Sequence, residues 1–366
     1  MLKKIKKIFG RYRRSLAKWY GMKMVRDNII AQSKKLDRHL KLSKEQVRET
    51  QEFWVSMIGR EIPLYCHEYF YSRTGHFTKE YVPKDIYHYD ILPRANEKSL
   101  HHTYCDKNLT DVFFDKADVA HAILKNMKGR YFYEDRPVSE QEAVELCSNM
   151  SNVIIKPSRL SKGHGVKLIS VANGITNVDG KTIAELFKDY KQNFLIQECV
   201  KQHKDMAGPN PTSVNTIRIL SYHSKDEVLI IYSVVRIGRK GSVIDNQSAG
   251  GISTAIDENG RLAATAFGGY VENDIGKTDS GIELAGYQLP SYDRVIDFVK
   301  RLHLRLPFFD IVGWDVAVRE DGSPVLIEFN LNPGLSQSAF GSGMGEYTER
   351  IIRELWPKPN SWFPDK

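Results

Sequence analysis

Asp315, Glu328 and Asn330 are the residues of this 366-residue chain whose types and spacing best support chemistry. Glu328 and Asn330 lie two apart in the run PVLIEFN, so on a strand both side chains leave the same face. Asp315 lies in IVGWDVAVRE, and the intervening DGSP is a hairpin turn signal that brings the two runs side by side. Two carboxylates and an amide oxygen so gathered form an all-oxygen site suited to a hard cation bridging phosphates. A surface hairpin with solvated acids is the plainer reading of the same residues.

Lys156 ends the apolar run NVIIKPS, placed to reach a phosphate. The loop that follows, from Ser158 to Gly165, contains Ser161, Lys162, Gly163 and Gly165 and has the backbone freedom of a flap over phosphates. It carries neither G-K-[ST] nor G-x-G-x-x-G, which excludes P-loop and Rossmann sites here. Gln197, Glu198, Cys199 and Val200 end another buried strand before a polar, proline-containing linker. Strand-end backbone groups in such a place can read an adenine edge. Arg218 and Arg236, in TIRILSYHS and VLIIYSVVRIG, suit a transferring phosphoryl group or a carboxylate; a sheet-surface ion pair is their ordinary role. Lys116, after Asp115, offers a second cation. No Ser–His or Cys–His arrangement suggests a protein nucleophile.

The elements that must position these residues follow from pattern. Residues 1–60 read as a basic helical segment and 61–127 as a small α/β connecting unit, with DKADVAHAILKNM helical. Residues 128–200 read as one α+β lobe and 201–360 as a second that holds the metal site. Ser139 with Glu142, at capping-box spacing, opens a helix. Hairpins mixed with helices favour α+β lobes with largely antiparallel sheets over a doubly wound parallel sheet.

Composition is that of a globular protein, 41% hydrophobic and 27% charged. No apolar run approaches the roughly 18–20 residues of a membrane span. The four cysteines are scattered and read as free thiols of a reducing cytoplasm. The net charge of +8 is concentrated in residues 1–50. That basic segment lacks the apolar stretch of a signal peptide. It can pack on the body, lie on an anionic membrane surface, or touch nucleic acid, although no reader motif supports the last. The expected location is cytoplasmic, with attachment to the inner membrane face as the alternative.

In this order the motifs resemble the ATP-grasp superfamily, and within it the sugar-transfer associated ATP-grasp group. The resemblance spans about residues 110–355 and rests on FFDKADVA, KPS with SKGHGV, QECV, PTSVNTIRIL, NQSAGGISTAID and WDVAV…VLIEFNLNPG. It implies two α+β lobes gripping ATP with magnesium, two ions that Mn²⁺ can replace. Lys116 and Lys156 would contact the phosphates beneath the 161–165 loop. Glu198 and Val200 would meet adenine, and Asp205 the ribose. Arg218 and Arg236 would face the γ-phosphate, and Asp315, Glu328 and Asn330 would hold the metals. Asn215, Gly250, Gly251 and Ser253 would lie by the acceptor. The implied reaction is ADP-forming ligation of a carboxylate to an amine, such as a uronic acid to an amino acid or amino sugar, in surface polysaccharide or capsule biosynthesis. A kinase-like phosphotransferase or a non-catalytic nucleotide-binding module would keep the same grip.

Overall fold

The computed structural model describes residues 2–161, 163–239, 241–242, 245, 250–269, 271–341 and 343–362, with side chains from Arg13 onward. Two seven-stranded antiparallel sheets form its centre. The strands of the first are β1 (Ala122–Met127), β2 (Arg130–Tyr133), β3 (Arg136–Val138), β4 (Met150–Pro157), β5 (Lys167–Ala172), β6 (Ile175–Thr176) and β7 (Phe194–Glu198), in the spatial order β3-β2-β1-β7-β4-β5-β6. The second holds β8 (Thr216–His223), β9 (Val228–Ile237), β10 (Ile252–Ala255), β11 (Ala266–Gly268), β12 (Glu272–Ile275), β13 (Ile311–Val318) and β14 (Pro324–Asn330), in the order β12-β11-β10-β9-β8-β13-β14. The α+β class with antiparallel sheets is as the pattern predicts.

The first sheet packs one face on helices Glu140–Leu146 and Ile183–Tyr190, around Leu124, Ile155, Ile169, Phe187 and Phe194. Local sequence sets these helices. Ser139 Oγ accepts from the Glu142 amide, and Thr182 with Glu185 closes a full capping box.

The second sheet is covered on both faces. Helix Tyr292–His303 packs Val295, Phe298 and Leu302 against Trp314, Val312 and Val316. The opposite face carries Asp315. Part of that face is covered by the N-terminal helices and by Thr348–Leu355, through Trp54, Tyr87, Tyr222, Tyr232 and Ile352. The rest faces the first sheet.

Residues 115–127 differ from expectation. They form short turns and then strand β1, where a helix is predicted. The apolar spacing of AHAILKNM fits a helix, but β1 pairs with β2 and β7 in register and the long-range partners prevail. Lys128 at φ 55° and Gly129 at φ 86° make the tight turn from β1 into β2. The first sheet therefore begins at Ala122, inside the stretch assigned to the connecting unit.

Candidate functional site

Strand pairing brings the C-terminal cluster together. Asp315 on β13 stands opposite Glu328 of β14 on one side and opposite Arg218 of β8 on the other, while Gly313 faces Asn330. Asp315 is buried and grips Arg218 with both oxygens, at 2.6 Å to Nε and 2.6 Å to Nη2. Arg236 Nη1 donates to Oδ1 at 3.0 Å and Asn330 Nδ2 approaches Oδ2 at 3.4 Å. Each Asp315 oxygen thus has two donors. Burial alone would raise the Asp315 pKa, but the charges of Arg218 and Arg236 overcome it and hold the carboxyl below its ordinary value. Burial likewise opposes the Arg218 charge, and Asp315 more than restores it.

Glu328 is less engaged. Its Oε1 lies 3.5 Å from Lys107 Nζ, and its side chain keeps 28% of its exposure. Across the gap, Lys156 leaves β4 and is only 6% exposed. Burial, and secondarily the neighbouring Lys107 charge, push its pKa down to about 8, with Glu328 pulling the other way.

A cleft of about 860 Å³ lies between the sheets and is lined from both. Ile154 and Val166 of the first sheet's side, with Val200, Val214 and Ile327, make an apolar slot. Lys107, Lys156, Arg236, Asp315 and Glu328 make its charged end. Gln197 and Glu198 border it, whereas Cys199 turns to a smaller cavity beyond. Gly163 and His164 line the cleft, and Ser161 lines a second cavity of about 910 Å³ that shares Lys107, Leu160 and Glu328. That cavity also takes in His101, Tyr104, Thr110, Arg159, Asn330 and Asn332. Gly165 sits at φ 72°, and a Cβ there would meet Pro157 Cγ at 2.9 Å, so the flap's return needs glycine. Lys162 lies outside the described residues.

Other expected residues stand elsewhere. Lys116 is exposed on a short turn and binds Asp135, away from the cleft. Asp205 is at a short helix start with its backbone amide on His203, and does not line the cleft. Asn215 is fully buried and spent on structure. Its Nδ2 donates to the carbonyls of Met206 and Asn210, and its Oδ1 accepts from Ser213 Oγ and the Gly238 amide. Ser253 is buried on β10 opposite Arg236, and neither it nor Gly250 or Gly251 lines the cleft. A Cβ on Gly251 would meet the Asp245 carbonyl oxygen at 2.3 Å, so this turn requires its glycine for closeness of backbone.

Two charged cleft residues escaped the sequence reading. Lys107 follows Asp106, which caps its short turn by accepting from the Asn108 amide. Of the two Asp-Lys pairs that precede the first sheet, 106–107 and 115–116, the first is the one that reaches the cleft. Asp245 is buried beside Arg236 and accepts from the Thr216 amide and hydroxyl. Burial pushes its pKa up to about 6, against the pull of Arg236. A lone aspartate in a polar, glycine-flanked loop gave no signal.

The segment joining the lobes is fixed to the second sheet. Glu198 Oε1 accepts from Arg319 Nη2 at 2.8 Å. Gln202 bonds the Asn215 backbone both ways, and the His203 amide donates to the Val318 carbonyl. Burial would raise the Glu198 pKa, but Arg319 and the His121 amide lower it on balance.

Several solved structures are similar. The L-amino acid ligase from Bacillus licheniformis matches with 10% identity, 71% of this chain, 50% of that one and a TM-score of 0.40. The D-alanine–D-alanine ligase from Bacillus anthracis matches with 15% identity, 72% and 70% coverage and a TM-score of 0.41. The N5-carboxyaminoimidazole synthase from Aspergillus clavatus matches with 11% identity, 74% and 56% coverage and a TM-score of 0.37. The chain spans about half the length of the first of these. No curated protein matches. The family model described as sugar-transfer associated ATP-grasp matches residues 88–352, most of the chain, and the protein belongs to that family.

Proposed function

We propose that the chain is an ADP-forming ligase that activates a carboxylate with ATP and joins it to an amine. The observation that supports this best is the charged end of the cleft. There Lys107 and Lys156 face Glu328 and Asp315 across a gap that continues into an apolar slot. A nucleotide has the matching shape, a flat base and a polyanionic tail, and the lysines offset its phosphate charge.

The donor set suits magnesium in its chemistry, since Glu328 and the Asn330 amide offer oxygens at the cleft's charged end, and Asp315 would join them by giving up one of its arginine bonds. Held by these three, the ion would supply positive charge to the transferring phosphoryl group. The chain's own residues do the rest. Lys156 and Lys107 hold the phosphates, Arg236 at the charged end orients the incoming carboxylate or the γ-phosphate, and Arg218 holds Asp315 in place. A carboxylate oxygen attacks the γ-phosphorus, the bond to the β-phosphate oxygen breaks and ADP leaves. The amine nitrogen then attacks the acyl carbon, and inorganic phosphate departs. The 158–165 loop covers the site and keeps water from the acyl phosphate. The second cavity, open to Glu328 and edged by His101, Lys107 and Arg159, is the place for the carboxylate substrate. The family's association with sugar transfer supports a uronic acid or similar glycan carboxylate, with an amino acid or amino sugar as amine, in surface polysaccharide assembly.

The test supplies ATP, magnesium and a panel of uronic acids, with hydroxylamine as amine. ADP release with hydroxamate formation is expected. Release of AMP, or a stable phosphorylated sugar in place of hydroxamate, rejects the ligase.

A further inference from the structure

Helix Leu2–Ser33, α1, divides its surface cleanly from Arg13 onward. One stripe faces the body. Lys18 binds Asp90, Arg26 binds Asp85 at 2.9 Å, and Ile29 is buried. Gly21 lies over Tyr89, so closely that a Cβ would fall 2.1 Å from the phenolic oxygen. The body's acids thus neutralise the cations on the inner stripe.

The outer stripe is different. Leu16, Trp19, Tyr20 and Met24 are 54%, 61%, 60% and 54% exposed, and helical spacing sets them opposite the packed stripe. Arg13 and Lys23 share that side and are exposed. Asp27, paired with Lys23, is the one acid between residues 13 and 30. Among the described residues, Ile30 adds a further exposed apolar side chain on this helix, Leu304 and Phe308 lie four apart elsewhere, and the remaining exposed large apolar residues are scattered singly, which is ordinary. Here four stand on two successive turns, two of them aromatic with polar tips, flanked by Arg13 and by Lys23 with its partner Asp27. No described helix is long and apolar enough to cross a membrane.

We propose that this outer face of α1 docks the protein on a negatively charged bilayer surface, with Leu16, Trp19, Tyr20 and Met24 entering the headgroup boundary and Arg13 and Lys23 meeting lipid phosphates. Charge complementarity selects the partner. A face that is basic at its rim and aromatic along its centre fits an anionic interface, where Trp and Tyr are stable with one end wet. The helix lies flat because its inner stripe is held to the body through Lys18, Gly21, Arg26 and Ile29. This docking is independent of the ligase chemistry.

The experiment sediments the full-length protein with vesicles of phosphatidylcholine alone or mixed with phosphatidylglycerol. Binding is expected to the mixed vesicles only, weakening as salt rises through about 0.1–0.5 M. Each cation removed should lower partition about fivefold, so Arg13→Gln with Lys23→Gln should lose about 25-fold. Trp19→Ser with Tyr20→Ser should lose binding too, and should abolish quenching of tryptophan emission by brominated lipid chains. Both pairs are exposed, and an unchanged circular dichroism spectrum shows each variant still folded. No binding at low salt overturns the proposal, as does binding that neither pair weakens. A concentration-dependent dimer that the Trp19/Tyr20 pair dissolves would assign the face to a second copy instead, and would also overturn it.

Discussion

Replacing Lys156 by methionine is expected to make the protein harder to unfold at neutral pH while ending its activity. The ammonium is buried, and burial together with Lys107 takes its pKa from 10.5 to about 8. At about 1.4 kcal/mol per pH unit, that distance is a cost of about 3 kcal/mol borne by the folded state. Methionine keeps an unbranched stem and discards the charge. The sign follows from proton counting. Between pH 8 and 10.5 the unfolded chain binds more protons at this residue than the native one, so the native lysine protein gains stability as pH rises through that window. The advantage of Lys156→Met is therefore full below pH 8 and fades toward pH 10.5. Urea unfolding of both proteins at pH 7 and pH 10 measures it. A variant less stable at pH 7, or an advantage independent of pH, would refute the claim that this lysine is held at a cost for the sake of the cleft.

Lys107→Ala should abolish ADP release, whereas Lys116→Ala should leave it within about twofold of the parent, because Lys116 is exposed, pairs with Asp135 and does not line the cleft. Parallel assays with the same substrates decide, and equal losses would show that the cleft assignment is wrong. Arg218→Met should lower stability by about 3 kcal/mol, the lower end for breaking a buried pair, since Arg236 still holds Asp315. Chemical denaturation measures it, and no change in midpoint would mean that Asp315 is not a charged, buried partner.

Much of the site is readable because strand geometry is simple. Glu328 and Asn330 share a face by their spacing of two, and Asp-Gly-Ser-Pro turns β13 back onto β14, so the meeting of Asp315 with Glu328 needs no long-range knowledge. Lys156 is readable as a charge at the end of an apolar strand. What escapes depends on pairing across the chain. Whether Asp-Lys at 106–107 or at 115–116 faces the cleft depends on the 106–108 turn docking on Ser158, through the Lys107 amide and the Ser158 carbonyl. Strand β1 imitates a helix until its neighbours β2 and β7 are known. Asn215 has the polarity of a ligand-binding residue, yet four internal hydrogen bonds consume its amide. Polarity in a sequence does not reveal where a hydrogen bond is already made.

The bonded segment between the sheets limits how the protein can move. Arg319 on Glu198, the Gln202 clamp on Asn215 and the His203 amide on Val318 fasten residues 198–203 as an axle welded to one lobe. Swinging the first sheet about that segment would break the Glu198–Arg319 pair, whereas the other three bonds keep the segment on the second sheet. The turning point for the first sheet is therefore residues 199–201, between the Glu198 anchor and the Gln202 clamp, beside the slot that Val200 lines.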